Sequence, residues 1–127
     1  MPSEEELIKT LIGLHSQLTD DGNYTERITL YTEDGRFITG DTVATGRDAL
    51  SAAFAASSAP ERRGKHITAN SVIEVNGDVA SGHTDFLFAH NTENGLALLA
   101  AGRYFDTFAK VDGRWRYTER RITFLGA

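Results

Sequence analysis

The sequence predicts an α+β fold, a cone in which three N-terminal helices pack on a strongly curved, mostly antiparallel sheet and enclose a cavity. Apolar residues recur at helical spacing before residue 65 and then alternate or form short runs between glycine-containing turns. The strands predicted in this second part are about 10 to 15 residues long, and strands of that length twist and curl strongly. A sheet so curved wraps around the helices that precede it and leaves a space between the two layers.

The first helix is predicted over residues 4–18. Ser3 and Glu6 have the spacing of a capping box, in which each residue satisfies a free backbone N–H of the other. The residues that follow form one broad apolar stripe that includes a histidine, namely Leu7, Ile8, Leu11, Ile12, Leu14, His15 and Leu18. The polar run from Asp20 to Asn23 contains Gly22 and is expected to end this helix.

Two further helices and a short strand are predicted before residue 65. Asn23 is a candidate N-cap for a second helix that ends near residues 33–35 and has one side formed by Tyr24, Ile28 and Tyr31. Residues 36–40 are expected to form a short strand. A third helix begins after residue 45 or 46, carries Leu50 and Phe54 on its apolar side, and stops before Pro60.

The second half is predicted to be a meander of four strands, at residues 66–76, 79–91, 97–111 and 114–125. Asn76-Gly77 and Asp112-Gly113 separate the first and the last pair, and such dipeptides accept the positive φ that tight hairpins need. Residues 91–95 provide a longer connection. Small residues inside the strands, such as Gly82 and Gly102, mark expected bulges or bends.

Composition narrows the class of protein. The 127 residues include 18 acidic and 13 basic side chains, a net charge of −5, which argues against a nucleic-acid partner. Without cysteine the chain has no disulfide and no thiolate metal site. The N-terminus reads Met-Pro-Ser-Glu-Glu-Glu, which is acidic where a signal peptide is basic, and no apolar run approaches the roughly 18 residues of a membrane span. We therefore expect a cytoplasmic protein without membrane contact. The length of the chain predicts a single domain over 1–127.

A polar row is predicted at the start of the first long strand. His66, Thr68 and Asn70 point to one side at the two-residue period of a strand, towards either solvent or the cavity. Asp20 or Asp21, just after the first helix, would make His66 a competent general base by hydrogen-bonding to its ring. The ordinary alternatives are a surface histidine and turn-forming aspartates.

Other titratable residues have two open interpretations each. His15 lies on the apolar stripe and is either a core histidine or a site residue. Arg120 and Arg121 alternate on the last strand, so one points inward and meets either an anion in the cavity or an acidic side chain such as Glu119.

The second long strand raises the same question. His83, Asp85 and Leu87 share one of its faces, which is either cavity lining or an exposed polar face. No spacing suits a metal site or a nucleotide-binding loop, so we expect neither a metal nor a cofactor.

A family resemblance follows from three features. These are the three N-terminal helices, a histidine opening the first long strand in Lys-His-Ile-Thr-Ala-Asn (65–70), and an ending that reads Gly-Arg-Tyr-Phe-Asp-Thr-Phe-Ala-Lys-Val-Asp-Gly-Arg-Trp-Arg-Tyr-Thr-Glu-Arg-Arg (102–121). This layout resembles the SnoaL-like branch of the nuclear transport factor 2-like superfamily and covers nearly the full chain. Its most specific part is the hairpin at 111–117, which identifies a fold and not an activity.

The chain most resembles the group that contains scytalone dehydratase, bile-acid 7α-dehydratase and hexachlorocyclohexane dehydrochlorinase. The resemblance implies a cofactor-independent lyase or isomerase that uses an Asp–His dyad in the cone. On this sequence the dyad falls on Asp20 and His66 and the last-strand arginine on Arg120. His15 stands where the group has Tyr or Lys.

The expected mechanism is proton abstraction by His66 while His15 or Arg120 stabilises the developing charge. The substrate is expected to be a small, largely apolar molecule. Its binding residues are predicted to be Tyr24, Tyr31, Phe54, Asn70, His83, Asp85, Leu87, Leu98 and Tyr104.

Three other functions of the fold remain open from the sequence. A cyclase or epoxide hydrolase would rely on an acid, here Asp85. A ligand-binding or assembly module would bind without catalysis, and a small dioxygenase subunit would need a large partner chain. We also expect a homodimer or homotrimer formed through the sheet, because the last two strands are rich in aromatic residues.

Overall fold

The computed structural model describes residues 1–126, and within them three helices lie against a six-stranded sheet whose first two strands precede the third helix. A short 3-10 turn at Pro60–Arg62 leads into the long strands. The elements are α1 (Glu4–Asp20), α2 (Tyr24–Thr29), β1 (Tyr31–Thr39), β2 (Thr42–Thr45), α3 (Arg47–Ser57), β3 (Lys65–Asn76), β4 (Val79–Thr92), β5 (Gly95–Val111) and β6 (Arg114–Phe124).

The strand order is β2-β1-β6-β5-β4-β3, with every pair antiparallel except β1 and β6. The predicted α+β architecture is therefore confirmed, and the sheet is open rather than closed into a barrel. The four long strands begin and end within two residues of their predicted limits. None of the helices in the described part of the chain is both long and apolar enough to cross a membrane.

The helix starts follow local capping chemistry. The Ser3 side chain accepts a hydrogen bond from the N–H of Glu6 at 3.1 Å, and Asn23 accepts one from the N–H of Glu26 at 3.3 Å. These two contacts fix the first residues of α1 and α2 as the sequence predicts.

The second helix is shorter than predicted, and Tyr31 is not in it. The helix ends at Thr29, and Tyr31 opens β1 with its side chain fully buried. The N–H of Tyr117 in β6 donates to the carbonyl of Leu30 at 2.8 Å, so pairing with the sheet replaces the last helical turns. The strand predicted at 36–40 is the second half of β1, and β2 was not predicted at all.

The two faces of the sheet differ in what they carry. The face against the helices, called the inner face here, contributes Phe108, Trp115 and Tyr117 to a core that also contains Ile8 and Phe54. The opposite, outer face carries exposed apolar side chains, including Ile67, Val72, Leu87, Leu98 and Phe105. Most of the aromatic residues of the last two strands thus belong to the core rather than to an exposed surface.

Candidate active site

A pocket of about 350 Å³ opens between the helices and the inner face of the sheet. Its walls are largely apolar, with aromatic side chains from both layers. Polar groups enter it from α1, α2, the turn before β3 and β3 itself. The lining consists of Thr19, Arg27, Phe37, Thr39, Ala53, Phe54, Ser57, Arg62, Arg63, Gly64, His66, Phe88, Ile122 and Phe124.

Asp20 and His66 meet at this pocket. Asp20 is the last residue of α1, and its carboxylate accepts hydrogen bonds from the backbone N–H of His66 at 3.0 and 3.2 Å and from the ring Nδ1 at 2.7 Å. The Asp20 side chain is 3% exposed and that of His66 is 20% exposed. The backbone and the ring of one residue are thus held by a single carboxylate.

This contact decides the chemistry of the histidine ring. Because Nδ1 carries the proton that Asp20 accepts, the neutral ring leaves Nε2 unprotonated. The ring packs against Phe88 with a centroid distance of 4.6 Å. Gly64 allows the chain to approach β4 here, since a Cβ at that position would lie 2.3 Å from the carbonyl oxygen of Ala89.

A second polar network lies deeper in the core. Arg120 donates from Nε and Nη2 to the two carboxylate oxygens of Asp106 at 2.9 and 3.0 Å, and its Nη1 lies 3.3 Å from Nδ1 of His15. Since an arginine only donates, His15 Nδ1 accepts, and its Nε2–H donates to the Tyr31 hydroxyl at 2.9 Å. Both nitrogens of His15 are thereby occupied.

Electrostatics fix the protonation of this network. Burial lowers the pKa of His15 well below its ordinary value, and the cations Arg120 and Arg27 lower it further. Burial alone also lowers the pKa of Arg120, but attraction to Asp106 outweighs this and the pKa lies above its ordinary value. At neutral pH the network therefore consists of a neutral histidine and an ion pair.

His15 and Arg120, which we expect to stabilise the developing charge, are not among the residues that line the pocket. The wall of the pocket is formed by other residues, and the Arg120 guanidinium is fully buried, 3.7 Å from the ring centroid of Tyr104. The acid that Arg120 meets is the buried Asp106 on the neighbouring strand rather than Glu119. The network is buried in the core and does not form part of the pocket lining.

Three residues predicted on β4 to bind substrate lie on the outer face. Cross-strand partners share a face, and Phe88 pairs with His66 whereas Asp85 pairs with Ala69. His83, Asp85 and Leu87 therefore point away from the dyad. The physical reason is the alternation of the strand, which turns Thr84 and Phe86 inward and buries them.

Asn70 and Leu98 are also on the outer side. A bulge between Ala69 and Val72 puts Asn70 at φ +57°, and its side chain donates to Asp85 at 3.0 Å. Leu98 is 67% exposed. Asp85 and Asn70 border a larger, open depression of about 580 Å³ that contains neither member of the dyad.

The remaining predicted contacts divide between wall and core. Phe54 lines the pocket. Tyr31 and Tyr104 are buried in the core around Arg120, and Tyr24 is half-buried and packs on the core cluster.

Arg27 and Asp106 are two buried charged residues that the sequence analysis does not predict for the site or the network beside it. Arg27 is 5% exposed and lines the pocket. Its position between Tyr24 and Ile28, on the same side of a helical turn, was the available signal for it. Asp106 lies directly across from Arg120, in a register that a bulge at residues 107–108 shifts by one.

The profile of the SnoaL-like domain family matches residues 3–121 of the chain. The chain belongs to the SnoaL-like domain family. The predicted membership in the nuclear transport factor 2-like superfamily is thereby confirmed. No curated protein sequence is similar enough to count as a match.

Solved structures place this SnoaL-like domain among proteins of several kinds. A variant of Rv3472 from Mycobacterium tuberculosis, a protein of unknown function, is 32% identical over 96% of this chain and 72% of that one, with a TM-score of 0.91. A candidate scytalone dehydratase from Novosphingobium aromaticivorans is 27% identical over 96% of this chain and 84% of its own, with a TM-score of 0.85.

A third solved structure shares the fold alone. The beta subunit of a candidate aromatic-ring-hydroxylating dioxygenase from Novosphingobium aromaticivorans has 18% identity, coverage of 96% and 89%, and a TM-score of 0.80. SnoaL-like folds therefore occur in proteins assigned to different activities.

Proposed function

We propose that this SnoaL-like domain is a cofactor-independent lyase or isomerase in which His66 removes a proton from carbon in a small, largely apolar molecule. The observation that carries the proposal is the 2.7 Å hydrogen bond between Asp20 and His66 Nδ1 at the wall of the pocket. A histidine oriented by a carboxylate is a recurrent general base. The candidate scytalone dehydratase among the similar structures supports the same class of reaction.

The proposed reaction begins with transfer of a carbon-bound proton to Nε2 of His66. In elimination, the electron pair of the broken C–H bond forms a C=C bond while the bond from the neighbouring carbon to a hydroxyl breaks. The proton on His66 then joins the departing oxygen, and water leaves. In isomerisation, the electron pair moves into an adjacent carbonyl to give an enolate, and His66 returns the proton to a different carbon.

Asp20 supports both halves of this cycle. Its carboxylate keeps the ring in the tautomer with Nε2 free and lies 2.7 Å from the ring nitrogen when the imidazolium forms. A positioned base contributes roughly 10² to 10⁴ in rate, so orientation in the pocket has to supply the remainder. The aromatic walls from Phe37, Phe54 and Phe88 fit an apolar substrate body.

Deuterium exchange tests the proposal without knowledge of the natural substrate. The protein is incubated in D₂O with small cyclic ketones and their β-hydroxy derivatives, and proton loss at carbon and alkene formation are followed by NMR. We expect exchange or dehydration with the wild type and a loss of roughly 10² to 10⁴ in rate with His66→Ala. Asp20→Asn should reduce the rate as well, because an amide does not stabilise the imidazolium.

The matched controls are His83→Ala and Asp85→Asn on the outer face, which should retain the wild-type rate. Equal rates in the wild type and His66→Ala would contradict the proposal. Binding of these compounds without any exchange would instead indicate a ligand-binding module. Loss of activity in Asp85→Asn alone would indicate acid chemistry of the cyclase or epoxide hydrolase kind.

A further inference from the structure

Arg27 is a buried charged residue at the pocket wall, and the proposed proton transfer by His66 does not use it. It lies on α2 and is 5% exposed. Its guanidinium carbon is 3.7 Å from the ring centroid of Phe54 and 5.6 Å from that of Phe37. These contacts cover the flat face of the guanidinium, and its donors lie in the plane of the group.

Two of the three donor nitrogens of Arg27 have no acceptor in the described chain. Its Nε and Nη1 atoms are buried without a hydrogen-bond partner among residues 1–126. The ion pairs found within these residues do not include Arg27. Arg120, which is equally inaccessible, has both of its outer edges occupied by Asp106 and His15.

An unpaired cation in such a position is costly to the fold, because water is removed from it without a replacement. Burial lowers the pKa of Arg27 to about 10. The group still holds its proton at neutral pH, so the charge is not avoided by deprotonation. A partner that arrives with a ligand removes this cost, whereas no partner in the described chain does.

The other residues that line the pocket also favour a ligand with a negative charge. Arg27, Arg62 and Arg63 line it, and the lining found among residues 1–126 contains no Asp or Glu, although the whole chain has a net charge of −5 and the Asp20 carboxylate binds the His66 ring. Arg63 donates from Nε to the carbonyl oxygen of Ser58 at 2.9 Å, which ties it to the protein. Four phenylalanines also line the pocket, so it combines basic side chains with aromatic ones.

We propose that Arg27 binds the carboxylate of a small organic acid whose apolar body lies between the aromatic walls of the pocket. This assignment rests on the proposed function for the chemistry at His66, and it specifies the substrate class as a carboxylate-bearing carbon acid. A planar carboxylate matches the in-plane N–H groups of a guanidinium and forms charge-assisted hydrogen bonds with them. Arg27 is a binding residue, and His66 remains the base.

Ligand binding is the direct test, with benzoate, benzamide and acetate as probes. Benzoate and benzamide have the same ring and differ in charge, and acetate has the charge without the ring. Titrations are followed by calorimetry and by the imidazole NMR signals of His66. We expect benzoate to bind at least about tenfold more tightly than benzamide, which lacks the charge-assisted hydrogen bond, and at least about tenfold more tightly than acetate, which lacks the ring.

Variants of Arg27 locate the effect. Arg27→Met should weaken benzoate binding at least about tenfold and leave benzamide binding unchanged. Arg27→Lys keeps a point charge and should lie between the two. Arg103→Met is the matched control, because Arg103 is an exposed arginine on the outer face, paired with Asp85. Circular dichroism checks that each variant is folded.

The possible outcomes separate this inference from the proposed function. Equal binding of benzoate and benzamide, or benzoate binding that survives Arg27→Met, overturns the inference. Tight binding of acetate alone identifies a simple ion site and overturns it too. Benzoate binding that needs Arg27, together with no deuterium exchange on any carbon acid, supports the inference and contradicts the proposed function. Deuterium exchange on neutral ketones, together with ligand binding that does not depend on Arg27, supports the proposed function and contradicts the inference about Arg27.

Discussion

The buried ion pair between Asp106 and Arg120 allows a quantitative test of the core. The two side chains are 1% and 0% exposed and are joined by two hydrogen bonds of 2.9 and 3.0 Å. Asp106→Asn keeps the shape of the side chain but removes its negative charge. It also places an amide N–H against an arginine N–H, so that Arg120 is left as a buried cation with one acceptor lost.

The expected cost follows from that geometry. Breaking a buried pair by removing one partner costs about 3–5 kcal/mol, because the remaining charge stays buried. For a domain of 127 residues, each kcal/mol changes Tm by roughly 3–5 °C, so we expect Tm to fall by about 9–25 °C. Asp85→Asn, which breaks an exposed pair with Arg103 on the same sheet, should have a much smaller effect.

The assay is urea and thermal unfolding of both variants followed by circular dichroism. A loss below about 1 kcal/mol in Asp106→Asn, or a loss equal to that of Asp85→Asn, would refute the reasoning. A double variant, Asp106→Leu with Arg120→Met, removes both charges and should recover most of the lost stability. If the double variant is no more stable than Asp106→Asn, the cost does not come from the uncompensated charge.

Two further predictions concern pH and association. Because His15 is neutral in the fold and its pKa lies well below 6.5, the unfolded chain takes up the extra proton, and unfolding free energy should fall as pH drops below about 6.5, by up to about 1.4 kcal/mol per pH unit from this residue. Urea unfolding between pH 5 and 7.5 should show a smaller slope in His15→Gln, and equal slopes would contradict the assignment. The exposed apolar outer face should hold a homodimer or homotrimer, so light scattering should give two or three times the mass of one chain. Leu87→Glu should yield the monomer while Val43→Glu, at the other end of the sheet, should not, and a monomeric wild type would contradict this prediction.

Local signals predicted most of the fold. Capping residues, apolar stripes and glycine turns act over a few residues, so α1, α3 and the four long strands could be located from the sequence. The placement of Tyr31 in the second helix is wrong because a contact between distant parts of the chain decides it. Its spacing from Ile28 and Tyr24 suits a helix, but pairing of β1 with β6 joins residues about 85 positions apart and outweighs helical propensity.

The candidate site was predictable only in part. The family resemblance pairs Asp20 with His66, and the Asp20 carboxylate lies 2.7 Å from Nδ1 of the His66 ring, but the catalytic role of this pair stays a proposal. The strand-based list was weaker, because the face of β4 that carries Asp85 was ambiguous and a bulge turned Asn70 outward. The burial of Arg27 is not predictable from its residue type, because charged side chains are ordinarily solvent-exposed.

The sequence by itself determined α1, α3, the four long strands, the turns that join these strands and the residue types available for chemistry, since these depend on interactions between near neighbours. Only the tertiary structure decided which side chains share a face and which buried charges have partners. A single extra residue in a strand reverses the direction of every later side chain. The bulge in the last hairpin therefore places Arg120, and not Glu119, opposite Asp106. The partners of a buried charge are distant in the sequence, so the sequence does not distinguish Arg120, which pairs with Asp106, from Arg27, whose Nε and Nη1 have no partner in residues 1–126.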